Sequence, residues 1–384
     1  MKKAVVFGGG NIGRGLAGRI FYEAGYSVSF VDVNMDLNRG LNEKHEYPLY
    51  ITMGDNYDKR SVKNVCAVDG RDMDAICKAC DEAEIAATAC GVNVLPIITK
   101  SIAAVIKHRF AAGNKTPFNF ILCENKIDVH LYVRELLRDL LTEEEYAFSE
   151  KYIGFCQSSI GCMVPAPPKE IIAENPLTVC VEDYNKIYTD KSGAVGEFPE
   201  IPNIIAYEPF SYYINRKLFM HNMSHCVCAY LGYKKGYDFI WQAIGDPEIK
   251  AHVKAALNET ASAMSKHYGT DIEELNAHAD DLIKRYGNKL LGDTVKRVGG
   301  DPKRKLSVGD RLVGASKFCL ENGVVPEHII PAILIGFEFD PEGDPTASEV
   351  SSFYKENGLK AALEKYCSLK LDDELYKLIV KAAE

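Results

Sequence analysis

Positive charge is in short supply. The chain carries 45 Lys and Arg against 54 Asp and Glu, a formal net charge of -9. No general field draws a phosphodiester backbone to such a surface, and no local basic patch stands in for one, so nucleic acid is not an expected partner. Long apolar runs are also missing. None approaches the ~18 uninterrupted apolar residues that a membrane helix requires, so no membrane partner is expected either. Met1 runs within three residues into an apolar strand pattern instead of a charged start with a cleavable apolar middle, which points to a cytoplasmic location. There is one tryptophan, Trp241, in the largely apolar stretch from Phe239 to Ile244, where it reads as packing.

Paired cysteine spacings are nearly absent. The twelve cysteines are scattered, many of them in apolar segments, as expected of reduced thiols that act as small core residues. Only Cys77 and Cys80 have the Cys-x-x-Cys spacing. With no second pair nearby to complete a tetrahedral site, they read as buried residues of a helix from Met73 to Ala83, and no metal is expected.

What is present begins with length. At 384 residues the chain exceeds the ~250 to 300 at which one core usually splits, so two domains are expected. The first strand pattern, Ala4 to Phe7, runs into Gly8-Gly9-Gly10-Asn11-Ile12-Gly13-Arg14-Gly15. A helical pattern follows to Ala24, then a second strand pattern, Ser27 to Val31, ending at Asp32. This is a dinucleotide fingerprint. Gly8 permits the tight turn, Gly10 lets backbone approach a pyrophosphate, and Gly13 lets the helix pack closely on the strand. The helix amino terminus offers N-H groups to phosphate. Asp32 would accept from a ribose diol and repel a 2'-phosphate, which favours NAD, with Arg39 as a possible exception to that rule.

Two later runs, Glu84 to Cys90 before Gly91-Val92-Asn93 and Phe118 to Cys123 before Glu124-Asn125, each read as a buried strand opening into a polar turn. Ligands gather at such strand ends, so Asn93 and Asn125 are candidate site residues as well as ordinary turn formers. Strand-like runs continue from Tyr152 to about Glu197 and extend the sheet. The expected architecture is α/β: a Rossmann-type doubly wound sheet domain over residues 1–200, followed by an all-helical domain over 201–384.

Helical periodicity dominates after Pro209, over Tyr212 to Leu231, Pro247 to Tyr268, Ile272 to Tyr286, Asp310 to Asn322 and Glu327 to Phe337, with two terminal helices between Phe353 and Glu384. On the first of these, Lys217, Asn222 and His225 are offset by five and eight residues. At about 100° per residue they fall within an arc of roughly 140°. A base, an amide and an imidazole so grouped suit the removal of a proton from an alcohol, provided burial or a neighbouring cation lowers the lysine from its usual ~10.4. The basic segment Lys303-Arg304-Lys305, with Arg311 beyond it, reads either as a phosphate or carboxylate site or as a solvated charged turn.

These motifs together resemble the polyol-specific long-chain dehydrogenases over essentially the whole chain. The matching pieces are Phe7 to Gly15, Asp32-Val33-Asn34, Gly91 to Leu95, Cys123-Glu124-Asn125, Arg216 to Phe219, Asn222 to His225, Arg297-Val298-Gly299, Asp301 to Leu306 and Asp310-Arg311-Leu312. The resemblance implies metal-independent hydride transfer between NAD(H) and a sugar alcohol or ketose, with the phosphorylated pair mannitol 1-phosphate and fructose 6-phosphate leading. It implies Lys217 as general acid/base, Asn222 and Asn125 as partners of the reacting oxygen, and His225 as a substrate holder. Gly8 to Arg14, Asp32, Gly91 and Asn93 would line the cofactor, and Arg304, Lys305 and Arg311 would hold the substrate. One departure is plain: residues 160–165 read Ile-Gly-Cys-Met-Val-Pro where the family usually reads Val-Asp-Arg-Ile-Val-Pro. That change leaves open a reductase of another ketose or of a hexuronate. A non-catalytic NAD-binding regulator is the alternative from a different class.

Overall fold

The computed structural model describes residues 1–384, which form two compact units, Met1–Ser211 and Tyr212–Glu384. The first unit is built on strands β1 (Lys2–Phe7), β2 (Tyr26–Asp32), β3 (Glu46–Met53), β4 (Asn56–Lys63), β5 (Val65–Asp69), β6 (Ile85–Thr88), β7 (Phe118–Leu122), β8 (Ile153–Ile160), β9 (Val179–Glu182), β10 (Ile187–Asp190) and β11 (Ile204–Tyr207). Eight of them make one sheet in the order β11-β10-β8-β7-β6-β1-β2-β5. From β5 to β8 every pairing is parallel. In chain order that segment runs 3-2-1-4-5-6, the doubly wound arrangement whose order reverses beside β1, so its ligand crevice lies at the carboxyl ends of β1 and β6.

The central strands are apolar along their length because helices cover both faces. Alternate residues of β1 serve different cores: Ala4 and Val6 pack with Val28 and Phe30, while Val5 and Phe7 pack with Phe120 and Phe155. The sheet extends as the sequence suggests, with β10 antiparallel to β8 and β11 parallel to β10. Because β11 still pairs in this sheet, the unit continues past residue 200 to Ser211. The strand-like run at Leu177 to Val181 does not join that sheet. It supplies β9 to a separate sheet, β4-β3-β9, whose hairpin at residues 46–63 the sequence reading passed over. Tyr47, Leu49 and Ile51 alternate inward on β3, which is the signal that marks it.

The second unit is helical apart from one isolated bridge between Phe239 and Thr294. Pro247–Tyr268 and Ile272–Tyr286 coincide with the expected segments, since each has punctuation at its ends. Asp246 and Asp271 cap the amino termini, and Gly269, at φ 69°, closes the first. Short helices at Ile240–Gly245, Val295–Gly299 and Pro302–Lys305 escape a periodicity reading because none contains two full turns. The first terminal helix begins at Pro345 rather than Phe353 and breaks at Gly358.

Candidate functional site

In the sheet unit, the glycine turn has the constraints its sequence implies. Gly8 adopts φ +98°, and a Cβ there would lie 2.7 Å from the Ala89 carbonyl oxygen. A Cβ on Gly13 would lie 1.9 Å from the Gly8 carbonyl oxygen, so the helix can approach the strand only with glycine at that position. Gly10 faces open space within 4 Å of where its Cβ would be, which leaves room for a phosphate group. The residues present therefore fit a dinucleotide. Gly9 is buried, whereas Asn11 is exposed and Ile12 half-buried at the start of the helix. Residues Gly13–Gly18 wind as a π-helix, all six buried.

Asp32 ends β2 and is already engaged with the turn. Its carboxylate accepts from the Gly9 N-H at 2.7 Å and the Asn34 N-H at 2.9 Å. Arg39 is exposed and paired with Asp36. Arg14 needs a correction as a cofactor ligand. Its side chain is buried, donates to the carbonyls of Gly9 and Leu177, and lies over the Tyr47 ring, so it shapes the turn from behind.

At the next strand ends, Gly91 adopts φ +85° and opens the exposed Val92–Val94 turn that carries Asn93. Asn125 is exposed just beyond β7. Between them lies a residue that sequence reasoning quoted but gave no role, Glu124. Its carboxylate is 3% exposed and accepts from the Thr88 hydroxyl and the Cys90 N-H at 3.1 Å, tying the ends of β6 and β7 together. Position beside Asn125 was the only available signal.

The altered segment at residues 160–165 also differs from expectation. Cys162 is 7% exposed and belongs to the core that includes Val179 and Val181. The Met163 N-H donates to the buried Glu182 carboxylate, and the Glu182 N-H returns a bond to the Met163 carbonyl at 3.1 Å. The cysteine that replaces the family's arginine thus packs into the fold.

In the helical unit, the chain turns continuously from Ser211 to Lys234, but Arg216–Asn222 winds as a π-helix. This changes the expected geometry. With i to i+5 bonding, residues five apart complete close to one full turn, so Lys217 and Asn222 share a face more closely than the α-helical arc of roughly 140° implied. The irregular winding is held by side chains. Ser224 Oγ donates to the Met220 carbonyl at 2.6 Å and meets the Tyr286 hydroxyl at 2.8 Å, while Tyr286 donates to the His221 carbonyl at 2.9 Å.

Lys217 is half-buried by surface area, yet protein encloses it enough to tell on its charge. Desolvation, and secondarily the Arg311 guanidinium, push its pKa down to about 8. His225 stacks on Tyr286 at 4.6 Å between ring centroids and 6° between planes. Burial, then the cations of Arg297, Arg285, Arg311 and Lys305, lower its pKa to about 3, so its imidazole is neutral at ordinary pH.

The basic segment is not a uniformly solvated turn. Asp301 caps the single helical turn Pro302–Lys305, leaving Lys303 and Arg304 exposed. Lys303 pairs with Glu349 and Arg304 with Asp301. Lys305 points inward, 3% exposed, and burial pushes its pKa down to about 8. Arg311 is held by Asp310 at 2.7 Å. Thus Arg311 is close enough to act electrostatically on Lys217, His225 and Lys305, whereas Arg304 pairs at the surface. Trp241 is half-buried rather than simply core. It carries the Lys289 ammonium 5.2 Å from its ring centroid and lines an open cavity of about 830 Å³ that includes none of these site residues.

A doubly wound sheet with a glycine-turn crevice, joined to a helical unit that holds a low-pKa lysine, defines a two-unit dehydrogenase architecture. Residues 2–203 match the mannitol dehydrogenase Rossmann domain and residues 210–379 the mannitol dehydrogenase C-terminal domain. The chain belongs to the mannitol dehydrogenase family. It is 36% identical, over 99% of its length and 100% of the relative's, to a mannitol-1-phosphate 5-dehydrogenase of Shouchella clausii. A second such enzyme, from Thermoanaerobacter pseudethanolicus, is 35% identical over 99% of this chain and 97% of its own. Among solved structures, a substrate-free D-sorbitol dehydrogenase matches with a TM-score of 0.80 at 17% identity, covering 98% of this chain and 91% of that one. A mannitol 2-dehydrogenase of Pseudomonas fluorescens, in a ternary complex with NAD and D-mannitol, matches with a TM-score of 0.69 at 16% identity, covering 99% and 90%. At those identities the structural matches speak for the fold.

Proposed function

We propose that this protein is an NAD-dependent polyol dehydrogenase that interconverts mannitol 1-phosphate and fructose 6-phosphate, with Lys217 as its general acid/base. The observation that carries this reading is a lysine brought down to about 8 by burial and Arg311, on the same π-helical face as Asn222. The full-length similarity to two mannitol-1-phosphate 5-dehydrogenases supports the substrate.

NAD, when bound, would supply the hydride acceptor, and the Gly8 to Gly13 turn and Asp32 are the residues that would hold it. The protein's own part is to move a proton and to hold an oxygen. In alcohol oxidation, neutral Lys217 Nζ takes the proton of the reacting hydroxyl as the carbon loses hydride. The amide of Asn222 donates to that oxygen, where charge develops. Neutral His225 fixes a neighbouring hydroxyl by hydrogen bonding. Lys305 and Arg311 supply positive charge for the phosphate, Arg311 doing so while it also depresses Lys217. In the reverse direction, the Lys217 ammonium protonates the oxygen.

A second reading, reduction of another ketose or a hexuronate, is favoured by the Gly161-Cys162 pair. Cys162 packs into the core, so its thiol takes no part in that change and the reading rests on the missing aspartate and arginine. A panel of phosphorylated ketoses, free ketoses and hexuronates with NADH, followed by nicotinamide absorbance, separates the two. Turnover of fructose 6-phosphate is the expected result. Turnover confined to unphosphorylated or carboxylated sugars would overturn the phosphate assignment.

A further inference from the structure

The environment of His225 contains two buried polar atoms without hydrogen-bond partners that face one another: His225 Nε2 and Asp293 Oδ2, 3.5 Å apart. Both side chains are well enclosed, at 13% and 16% exposure. Such atoms cost on the order of 1–3 kcal/mol each when left unpaired, and a small ring rotation would bring this pair within hydrogen-bond distance.

Asp293 is placed with care. Its carbonyl accepts from the Ile240 N-H at 2.9 Å, and the Val295 N-H donates to the Asp238 carbonyl at 2.8 Å, so backbone bonds pin it from both sides. Thr294 caps the helix Val295–Gly299, which returns Arg297 to the other carboxylate oxygen of Asp293. Burial raises the Asp293 carboxyl above its ordinary value, and the Arg297 guanidinium opposes that rise and favours the ionised form. An ionised Oδ2 can only accept a hydrogen bond, so the proton between the two groups belongs to the histidine.

We infer that Asp293 is a positioning residue that holds His225 as the Nε2-H tautomer and so leaves Nδ1 as a lone-pair acceptor for a substrate hydroxyl. Tyr286, stacked on the ring, sets its plane, and Asp293 sets which nitrogen carries hydrogen. Burial, and then the cations Arg297, Arg285, Arg311 and Lys305, keep the ring from taking a second proton, which would abolish the acceptor. This inference rests on His225 as the substrate holder.

The test uses the full-length enzyme labelled with 15N-histidine. The His225 signals are assigned by comparison with His225→Gln, and the tautomer is read from the ring nitrogen shifts. The wild type is expected to show Nε2-H at neutral pH. Asp293→Ala should redistribute the tautomers and lower kcat/KM for the polyol about tenfold or more, with NAD affinity unchanged. Asp293→Asn, whose carbonyl still accepts, should restore both readouts to near wild type. A wild-type ring that is Nδ1-H or doubly protonated, or a tautomer unmoved by Asp293→Ala, overturns the positioning role. If Asp293→Ala moves the tautomer while neither it nor His225→Ala changes kcat/KM, the substrate-holding role of His225 is what fails.

Discussion

On the proposed mechanism the chemistry rests on one side chain, Lys217, whose charge is decided by its surroundings. With a pKa near 8, the neutral base becomes available as pH rises through that value. The rate of polyol oxidation should climb with unit slope below about pH 8 and level above it, and ketose reduction should run the opposite way. Arg311→Gln removes the neighbouring cation, so both profiles should shift to higher pH. A profile that stays in place would disconnect Arg311 from Lys217. The same pKa has a stability consequence. A lysine near 8 in the folded state and near ~10.4 unfolded binds its proton less well when folded. It therefore costs stability in full below about pH 8, and the cost disappears as pH rises towards ~10.4. Lys217→Met should raise unfolding stability at pH 7 by up to about 3 kcal/mol while abolishing turnover, and the gain over wild type should shrink above pH 8. Equilibrium urea unfolding at pH 7 and pH 9.5 measures the difference.

At the scale of elements, the two stretches that carry the proposed function both depart from regular α-helix. Gly13–Gly18 and Arg216–Asn222 wind as π-helices, and each accepts a hydrogen bond on a backbone carbonyl from a distant tyrosine hydroxyl, Tyr47 to Arg14 and Tyr286 to His221. For the second, the clamp is Tyr286. Tyr286→Phe removes the bonds to Ser224 and the His221 carbonyl, which should cost about 1–3 kcal/mol in chemical unfolding and lower kcat more than NAD affinity. An unchanged kcat would mean that the winding holds without the hydroxyl. For the first, Gly13→Ala forces a methyl against the Gly8 carbonyl and should weaken NAD binding at least tenfold in a fluorescence titration. Elements of this kind also mark the limit of what a sequence discloses. The glycine turn, Asp32, the parallel strands and the long capped helices were legible because spacing and punctuation encode them locally. The π winding was not, since Lys217 and Asn222 at an offset of five look alike in either helix and the Ser224 and Tyr286 clamp is set by tertiary packing. The inward direction of Arg14 and Lys305 was not legible for a related reason: a basic side chain gives no local sign of which way it points. Asp293 was invisible because its meeting with His225 depends on the short bridge between Phe239 and Thr294.

For the molecule as a whole, the proposed mechanism divides its labour between the two units. One carries the dinucleotide crevice at the carboxyl ends of β1 and β6, the other carries the lysine, the imidazole and the inward cation Lys305. Cofactor binding and proton transfer should therefore be separable by mutation. The most direct test is the steady-state rate of NADH formation by Lys217→Ala with saturating NAD and mannitol 1-phosphate, alongside wild type at pH 8. A fall of about a thousandfold or more, partly reversed by added primary amine, is the result predicted for a residue that moves the proton. A rate within about tenfold of wild type would contradict the account, because the proton would then be travelling by another route.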